Sequence, residues 1–298
     1  MKKKAAFLFN PISGPYRLIP VKPMIERFVN RDLYDFTIID TEYQYHARKL
    51  AAEFASKNYD VVFAVGGDGT VNEVGNGLIG SNTALGIIPC GSGNGLARHL
   101  GISMDPFKAI KWLNKSKVVN IDYGKIAGHP FFCTCGVGFD ATVSESFAKA
   151  GSRGVVTYLE NVLKEMITYK IEEYHLSSNY GFDETVDAFI VNCANADQWG
   201  NNAYIAPNAS VQDGELDITV IHPFAAVDIP LMALQLFNKQ LDKSRNVTVH
   251  KFKKLTITRK SEGAAHFDGE PIMLGTKIDI EVVPLGIKVL IPDKNRDL

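Results

Sequence analysis

Three glycines surround one aspartate in the segment GGDGT at 66–70, which directly follows the apolar run at 61–65. A short β-branched run of this kind is typical of a buried strand. Glycine at such density indicates a backbone that turns sharply and approaches a neighbour or a ligand closely. Backbone N–H groups that lead into a helix favour phosphate, and Asp68 could bind a metal, orient a water or take a proton. The segment therefore predicts a nucleotide kinase.

Four other segments contain residue types at a spacing that is compatible with ligand binding or catalysis, although each is also typical of an ordinary turn. They are NPISG at 10–14, GSGNG at 91–95, DGE at 213–215 and DGE at 268–270. The glycine spacing is wrong for a dinucleotide fingerprint, and the sequence has no P-loop motif. Asp122 lies inside a predicted strand, where a carboxylate usually needs a partner or ligand. Arg98 follows the second glycine loop, where it could attract phosphate or simply face solvent.

Composition excludes several classes of protein. The chain has 298 residues, 46% of them hydrophobic, and a net charge of −1, so we expect no nucleic-acid partner. Its four cysteines lack paired metal spacing, which favours reduced thiols in a cytoplasmic protein. No stretch approaches the roughly 18 apolar residues of a membrane span, so any bilayer contact is expected to be transient and peripheral.

The segments before residue 120 alternate between strand and helix. Apolar runs predict strands over 5–9, 36–39, 61–65 and 84–88, and amphipathic patterns predict helices over 44–57, 70–78, 96–100 and 106–113. Thr70 and Glu73 have the spacing of a capping box for the second of these helices. The alternation favours a parallel sheet with helices on both faces, where ligands bind at the carboxyl ends of strands.

The segments after residue 120 are rich in β-branched residues, with predicted helices over 155–169 and 226–237. They predict an antiparallel sandwich with inserted helices. The fold class is therefore α/β plus β, with an α/β domain over 1–122 and a β-rich domain over 123–285. The final strand within 286–298 could return to either domain.

NPxSG, GGDGT, GSGN-x-LAR and a late DGE occur here in that order, and this set resembles the diacylglycerol kinase catalytic-domain family of lipid kinases. The family includes bacterial soluble lipid kinases and sphingosine kinases. The resemblance implies an α/β domain like that of NAD kinase, a β-rich domain, and ATP in the cleft between them. It assigns ATP to Asn10, Ser13, Gly14, Thr41, Gly66, Gly67, Asp68, Gly69, Thr70, Val71, Asn72 and Ser92.

The resemblance also implies a catalytic pair and a metal. Glu270 matches the proton acceptor of the bacterial relatives, and Asp68 matches the one favoured in sphingosine kinases. We hypothesise that Glu270 is the base and that Asp68 organises ATP-bound metal and the acceptor, although the sequence does not choose between them. A structural Mg²⁺ is implied at the Asp213 carboxylate and the backbone oxygens of Ser210 and Glu215, since hard oxygen ligands suit this ion.

One departure from the bacterial pattern concerns the acceptor. Gly95 stands where the bacterial enzymes usually carry aspartate. This weakens the assignment of diacylglycerol as the acceptor and favours a sphingoid base. Asp140 lies near the segment that carries an acceptor-recognising aspartate in sphingosine kinases, and Arg98 and Asp122 are further acceptor-side candidates. The predicted helix 155–169 is a candidate wall or gate for the lipid, or simply a packed helix.

The sequence thus predicts an ATP- and Mg-dependent lipid kinase that phosphorylates a hydroxyl of diacylglycerol or of a sphingoid base. Two alternatives stay open: a kinase of a soluble acceptor such as NAD, and a catalytically inactive relative that binds nucleotide. The expected partner is a lipid at the membrane surface. The oligomeric state is open, with a homodimer among the possibilities.

Overall fold

The computed structural model describes residues 2–12, 20–150 and 169–293, with side chains omitted over 145–150. Ser13, Gly14 and all of the predicted helix 155–169 except Tyr169 lie outside the described residues.

A parallel four-stranded sheet forms the centre of the N-terminal part. Its strands are β1 (Lys3–Phe9), β2 (Tyr34–Asp40), β3 (Val61–Gly66) and β4 (Ala84–Pro89). They lie in the order β2-β1-β3-β4 and every neighbouring pair is parallel. All residues of β3 and β4 are buried, as expected for strands covered on both faces. The predicted parallel sheet is confirmed.

Helices cover both faces of this sheet. They are α1 (Val21–Phe28), α2 (His46–Ser56), α3 (Asp68–Leu78), α4 (Gly95–His99) and α5 (Pro106–Trp112). Residues of α2 and α3 pack into one apolar core with Ala6, Val62 and Leu85, whereas α1 and α5 pack on the opposite face.

The predicted capping box of α3 is wrong. The helix begins at Asp68 with Gly67 as its N-cap, and no side chain caps it. Glu73 instead accepts hydrogen bonds from the N–H groups of Tyr45 (3.0 Å) and Ala47 (3.1 Å). It thereby serves the start of α2, which lies beside α3.

The C-terminal part is a sandwich of two sheets. Its separate six-stranded sheet is antiparallel and has the order β12-β11-β10-β7-β14-β15. These strands are β7 (Thr134–Gly138), β10 (Ile190–Ala194), β11 (Leu216–Ile221), β12 (Val247–Phe252), β14 (Gly263–Phe267) and β15 (Glu270–Leu274). Among the described residues of this part, the helices are α6 (Phe139–Ala150) and α7 (Ile229–Phe237).

The facing layer of the sandwich is continuous with the N-terminal sheet. It contains β5 (Ser116–Ile126), β6 (His129–Phe131), β8 (Glu172–Ser178), β9 (Asp183–Ala188), β13 (Lys254–Arg259) and β16 (Lys277–Pro292). Strand β16 pairs antiparallel with β13 and β5, and its Val289 also pairs with Leu85 of the parallel strand β4. A register shift between Val283 and Ile287 separates the two halves. Strand β16 therefore joins the parallel N-terminal sheet to one of the two sheets of the sandwich.

Candidate active site at the carboxyl edge of the parallel sheet

The register of the parallel strands brings their carboxyl ends to one edge. Phe9 is level with Asp40 and with Val65, and Gly66 is level with Pro89. Backbone hydrogen bonds continue beyond the strands, because Asn10 donates to Val65 (3.0 Å). The segments that follow β1, β2, β3 and β4 therefore meet at this edge, as the sequence predicts.

Two of the glycine loops touch backbone to backbone. A Cβ added to Gly91 would lie 2.4 Å from Cα of Gly67, and one added to Gly66 would lie 2.4 Å from Oγ1 of Thr70. A larger residue at Gly91 would separate the two loops, and one at Gly66 would clash with Thr70 at the start of α3, so both positions favour glycine for packing. The contact leaves the start of α3 at the open edge, where the N–H groups of a first helical turn lack helical partners. This arrangement suits a phosphate.

The side chains next to these loops brace one another. Asn10 donates from Nδ2 to Oγ1 of Thr70 (3.2 Å), and its Oδ1 accepts from the N–H of Ile12 (3.1 Å). Thr41 donates its N–H to the carbonyl of Phe9 (2.8 Å). Asn10 and Thr41 therefore lie at the predicted edge, joined to the loops around them.

Asp68 is the first residue of α3 and holds the neighbouring loop. Its Oδ2 accepts from the N–H of Asn94 (2.7 Å) and its Oδ1 from the N–H of Gly95 (2.8 Å), which begins α4. Desolvation of this carboxyl raises its pKa to about 6, against the opposing effect of these backbone bonds. Both carboxylate oxygens thus accept hydrogen bonds from the protein. This geometry suits a residue that positions the loop better than it suits a general base.

The loop at 91–95 is closed on itself. Asn94 has a φ of 55°, and its side chain accepts from the N–H of Gly91 (3.0 Å) and donates to the carbonyl of Gly91 (2.7 Å). Ser92 is exposed at the tip of this loop. Arg98 donates from Nε to the carbonyl of Gly93 (2.9 Å) and thus stabilises the loop from behind.

A loop of the sandwich packs against this region. Asn201 donates its N–H to the carbonyl of Gly93 (3.2 Å). Asp197 lies 2.9 Å from Nδ1 of His99 in α4 and 2.9 Å from Nζ of Lys239. Burial opposes ionisation of Asp197, but the bonds from these two side chains outweigh it and lower the pKa to about 2. Asp197 therefore links the α/β part to the sandwich.

Asp268 is the anchor of the late DGE segment, and sequence reasoning missed it. Asp268 and Gly269 have φ values of 49° and 82° and form the two-residue turn between β14 and β15. The Asp268 carboxylate accepts from the N–H groups of Phe132 (2.8 Å), Cys133 (2.8 Å) and Thr134 (3.1 Å). Only its tertiary contacts identify this role, because D-G is also an ordinary hairpin turn.

Asn72 of α3 completes this anchor by donating from Nδ2 to Asp268 (2.8 Å). The interpretation of Val71 and Asn72 as ATP contacts needs correction for their side chains. Val71 packs in the apolar core beneath the helix, and Asn72 is 6% exposed and bonded to Asp268. Both support the loop from below.

Glu270, directly after the turn, stands over the first turn of α3. A Cβ added to Gly69 would lie 3.2 Å from Oε1 of Glu270. Within the described chain no hydrogen bond to the Glu270 carboxylate is present. Desolvation raises its pKa, and the negative charges of Glu73 and Asp268 add to the shift. A carboxylate of raised pKa without a hydrogen-bond partner in the described chain, beside the first turn of α3, can accept a proton.

Gly95 has no room for the carboxylate that the bacterial pattern carries. A Cβ at this position would lie 2.7 Å from Sγ of Cys133 and 3.0 Å from the carbonyl of Gln198. The Cys133 thiol itself donates to that carbonyl (3.0 Å). The space beside the loop is therefore filled by the sandwich.

Two of the acceptor-side candidates are engaged inside the protein. Asp122 is fully buried and accepts from the N–H groups of Gly214 (2.7 Å) and Leu285 (2.6 Å), so it holds the loop that contains Asp213. Asp140 lies 3.0 Å from Nε2 of the buried His266. Their carboxylates serve internal contacts, which corrects the expectation that they face an acceptor.

The one carboxylate expected to bind a structural Mg²⁺, that of Asp213, is already paired with a cation of the chain and does not suit that ion. Asp213 and Glu215 lie beside the ammonium of Lys251, which is 2.7 Å from the first and 4.0 Å from the second. Across the described ranges, no group of three or more His, Cys, Asp or Glu side chains is arranged to hold a metal. We derive no step through a metal at this loop.

Comparison with known proteins decides the family. Residues 4–126 match the diacylglycerol kinase catalytic domain, and residues 133–291 match the YegS C-terminal NAD kinase beta sandwich-like domain. The chain belongs to this family of lipid kinases. It is therefore a kinase, and its family implies the use of ATP.

Two curated relatives agree with this assignment. The chain is 30% identical to a "Probable lipid kinase YegS-like" of Klebsiella pneumoniae strain 342, over 83% of this chain and 82% of the relative. It is 28% identical to a protein of the same name from Yersinia enterocolitica, over 83% of both.

Two solved structures from Bacillus anthracis, one described as a diacylglycerol kinase and the other as a putative diacylglycerol kinase, have TM-scores of 0.75 and 0.71. They share 22% and 26% identity with this chain and cover 98% and 96% of it; the chain covers 97% and 96% of them. The α/β plus β-sandwich fold is confirmed. In the part of the chain that the structure describes, no helix is long and apolar enough to cross a membrane.

Proposed function

We propose that this kinase transfers the γ-phosphoryl group of ATP, supplied as its magnesium complex, to a hydroxyl of a membrane lipid, with Glu270 as the general base. The observation that carries the proposal is the Glu270 carboxylate over the first turn of α3, beside Gly69. Phosphoryl transfer depends mainly on positioning and on neutralising charge. The base therefore needs only to reach the acceptor hydroxyl while the loops hold the phosphates.

We propose that the loops after β1, β3 and β4 bind the phosphates of ATP. Gly66, Gly67 and Gly91 allow the close loop packing, and the free N–H groups at the start of α3 would donate to phosphate oxygens. Magnesium on the nucleotide would neutralise charge that develops during transfer. The exposed Ser92 hydroxyl is available to contact the nucleotide.

The contacts of Asp68 support a different role from the one we hypothesised. A carboxylate that accepts from the N–H groups of Asn94 and Gly95 orients the second loop toward the nucleotide. We therefore propose Asp68 as a positioning residue and Glu270 as the catalytic residue.

The decisive experiment incubates the purified chain with labelled ATP, Mg²⁺ and diacylglycerol, sphinganine, ceramide, monoacylglycerol or NAD. We expect a phosphorylated lipid. Glu270→Gln should lower kcat by roughly 10²–10⁴-fold with unchanged thermal stability, because a general base contributes about that much. Glu270→Gln with near-wild-type turnover would falsify the base assignment, and product from NAD alone would overturn the lipid acceptor.

The acceptor hydroxyl could belong to diacylglycerol or to a sphingoid base. The position of Gly95 offers no carboxylate on this side, and Cys133 fills the space. This supports a sphingoid base over diacylglycerol by resemblance to sphingosine kinases. Greater turnover with sphinganine than with diacylglycerol, at equal surface concentration in mixed micelles, is the expected result.

We propose that the enzyme docks peripherally on the bilayer through α7. Four apolar side chains follow one face of the helix and the residues before it, each more than half exposed: Val227, Leu231, Leu234 and Phe237. The opposite face buries Met232 in the sandwich. An exposed apolar face of this kind is suited to the interface between headgroups and acyl chains.

Vesicle sedimentation tests this surface without turnover. Leu231→Asp combined with Leu234→Asp should abolish binding to anionic vesicles, whereas Leu33→Asp, at an exposed leucine that precedes β2, should leave it unchanged. Equal binding of all variants would exclude α7 as the docking surface. A wild-type dimer that the double variant converts to monomer, measured by light scattering, would identify the face as a homodimer interface instead.

A further inference from the structure

Lys251 of β12 occupies the acidic loop between β10 and β11. It is directly opposite Asp217 in the antiparallel pair of β11 and β12. Its Nζ lies 3.0 Å from Oδ2 of Asp217 and 2.7 Å from Oδ2 of Asp213. The sheet holds cross-strand neighbours at a fixed separation, so the register of β11 and β12 places the Lys251 ammonium beside the Asp217 carboxylate.

Two further carboxylate oxygens of the cluster also accept hydrogen bonds. Asp213 accepts from the N–H of Glu215 through Oδ1 (3.1 Å), and Glu215 accepts from the hydroxyl of Tyr180 through Oε1 (2.6 Å). Asp217 is 4% exposed in its side chain and thus depends on Lys251 for compensation. A buried carboxylate is costly unless it is paired.

A divalent ion would compete with this ammonium. Magnesium requires about six oxygen ligands at close range in octahedral geometry. The oxygens nearest to Lys251 already accept from a cation at hydrogen-bond distance, and a second cation among them would be repelled. The loop therefore has its positive charge from the chain itself.

We propose that Lys251 is a built-in cation that replaces the divalent ion of the related enzymes. Its ammonium joins the loop at Asp213 to β12 through Asp217. The folded protein then needs no divalent ion at this loop, and magnesium enters only with the nucleotide. This inference is independent of the acceptor and of the catalytic base.

Thermal unfolding of the nucleotide-free full chain tests the inference, in EDTA and across a millimolar range of MgCl₂ or CaCl₂. Wild-type Tm should be the same in all conditions. Lys251→Met should lower Tm in EDTA by roughly 2–6 °C, and either salt should restore part of the loss, because the carboxylates become available to a divalent ion. Lys253→Met, at an exposed lysine two residues away, should match the wild type.

Two further measurements keep the test decisive if Lys251→Met fails to fold. Lys251→Arg keeps the positive charge and should fold with a Tm that does not change on addition of Mg²⁺. Calorimetric titration of MgCl₂ into the nucleotide-free wild type should give no binding isotherm. A wild-type Tm that falls in EDTA and recovers with Mg²⁺ would overturn the inference, as would a Lys251→Met variant that melts like the wild type.

Discussion

Asp268→Asn is the substitution that most directly tests how the base is positioned. One carboxylate oxygen accepts from the N–H groups of Cys133 and Thr134, and the other accepts from Phe132 and from the Asn72 amide. An asparagine replaces one oxygen by an NH₂ group. Whichever side it takes, two donors of buried residues then face another donor.

Each unsatisfied buried donor costs about 1–3 kcal/mol, so the two together cost roughly 2–6 kcal/mol. Burial raises the pKa of Asp268, and removing this desolvated charge offsets part of the loss. We expect a net destabilisation of about 2–4 kcal/mol, which lowers Tm by roughly 5–15 °C. Denaturant unfolding and calorimetry measure both quantities.

Activity gives the second half of the test. Asp268 fixes the turn that presents Glu270, so Asp268→Asn should lower both stability and kcat, whereas Glu270→Gln should lower kcat alone. The two variants differ by one amide each and lie two residues apart, which makes them matched controls. An Asp268→Asn protein with wild-type Tm would refute the anchoring argument. A destabilised Asp268→Asn protein with normal kcat would show that Asp268 stabilises the fold without positioning Glu270.

Three other changes have expected outcomes of their own. Gly95→Ala should lower the free energy of unfolding by about 1–3 kcal/mol through overpacking against Cys133, and Cys133→Ala in the same chain should recover part of this loss in urea titrations. Asp197 has a lowered pKa of about 2, so its paired carboxylate stabilises the fold above the unfolded pKa near 3.9 and this contribution of roughly 2–3 kcal/mol is lost as pH falls toward 2. Asp197→Asn should therefore flatten the acid side of the stability curve between about pH 4 and pH 2, and an unchanged acid slope would exclude this pairing. Asp68 has the opposite sign, because its pKa is raised to about 6: the folded state binds the proton more tightly, so stability falls by roughly 3 kcal/mol as pH rises from about 4 to 6. Asp68→Asn should remove that fall, and a variant with the same slope in this window would contradict the assignment.

The parallel sheet was predictable because its strands are buried on both faces. The continuous apolar run at 61–65 is typical of a strand that is buried on both faces of a parallel sheet, and the glycines after it mark the end of the strand. By contrast β9 (Asp183–Ala188) carries exposed charges and gives no apolar signal, so it was missed. The β-branched run at 247–258 is divided at Lys253 between β12 and β13, which belong to different sheets, and no local pattern encodes this division.

Site prediction failed where a role depends on long-range contacts. Asp268 and Asp213 both begin a D-G-E segment, yet one collects backbone amides from Phe132 to Thr134 and the other binds Lys251. The two triplets are identical in sequence. Only the neighbours that the sheet register brings to them make one an anchor of the candidate base and the other half of an internal ion pair.

Asp68 shows how the same kind of contact changes an assignment. From sequence it is one acidic residue among glycines, equally suited to bind a metal or to take a proton. In the folded chain its oxygens accept from Asn94 and Gly95, so a proton taken from a substrate would have to displace a backbone hydrogen bond that orders the second loop. Glu270 has no such bond to lose within the described residues, whereas burial raises the pKa of both carboxyls, so the difference in hydrogen bonding favours Glu270 as the proton acceptor. The two carboxylates thus differ in their hydrogen-bond partners: Asp68, the proposed positioning residue, begins α3, and Glu270, the proposed base, follows the hairpin turn beside the first turn of that helix.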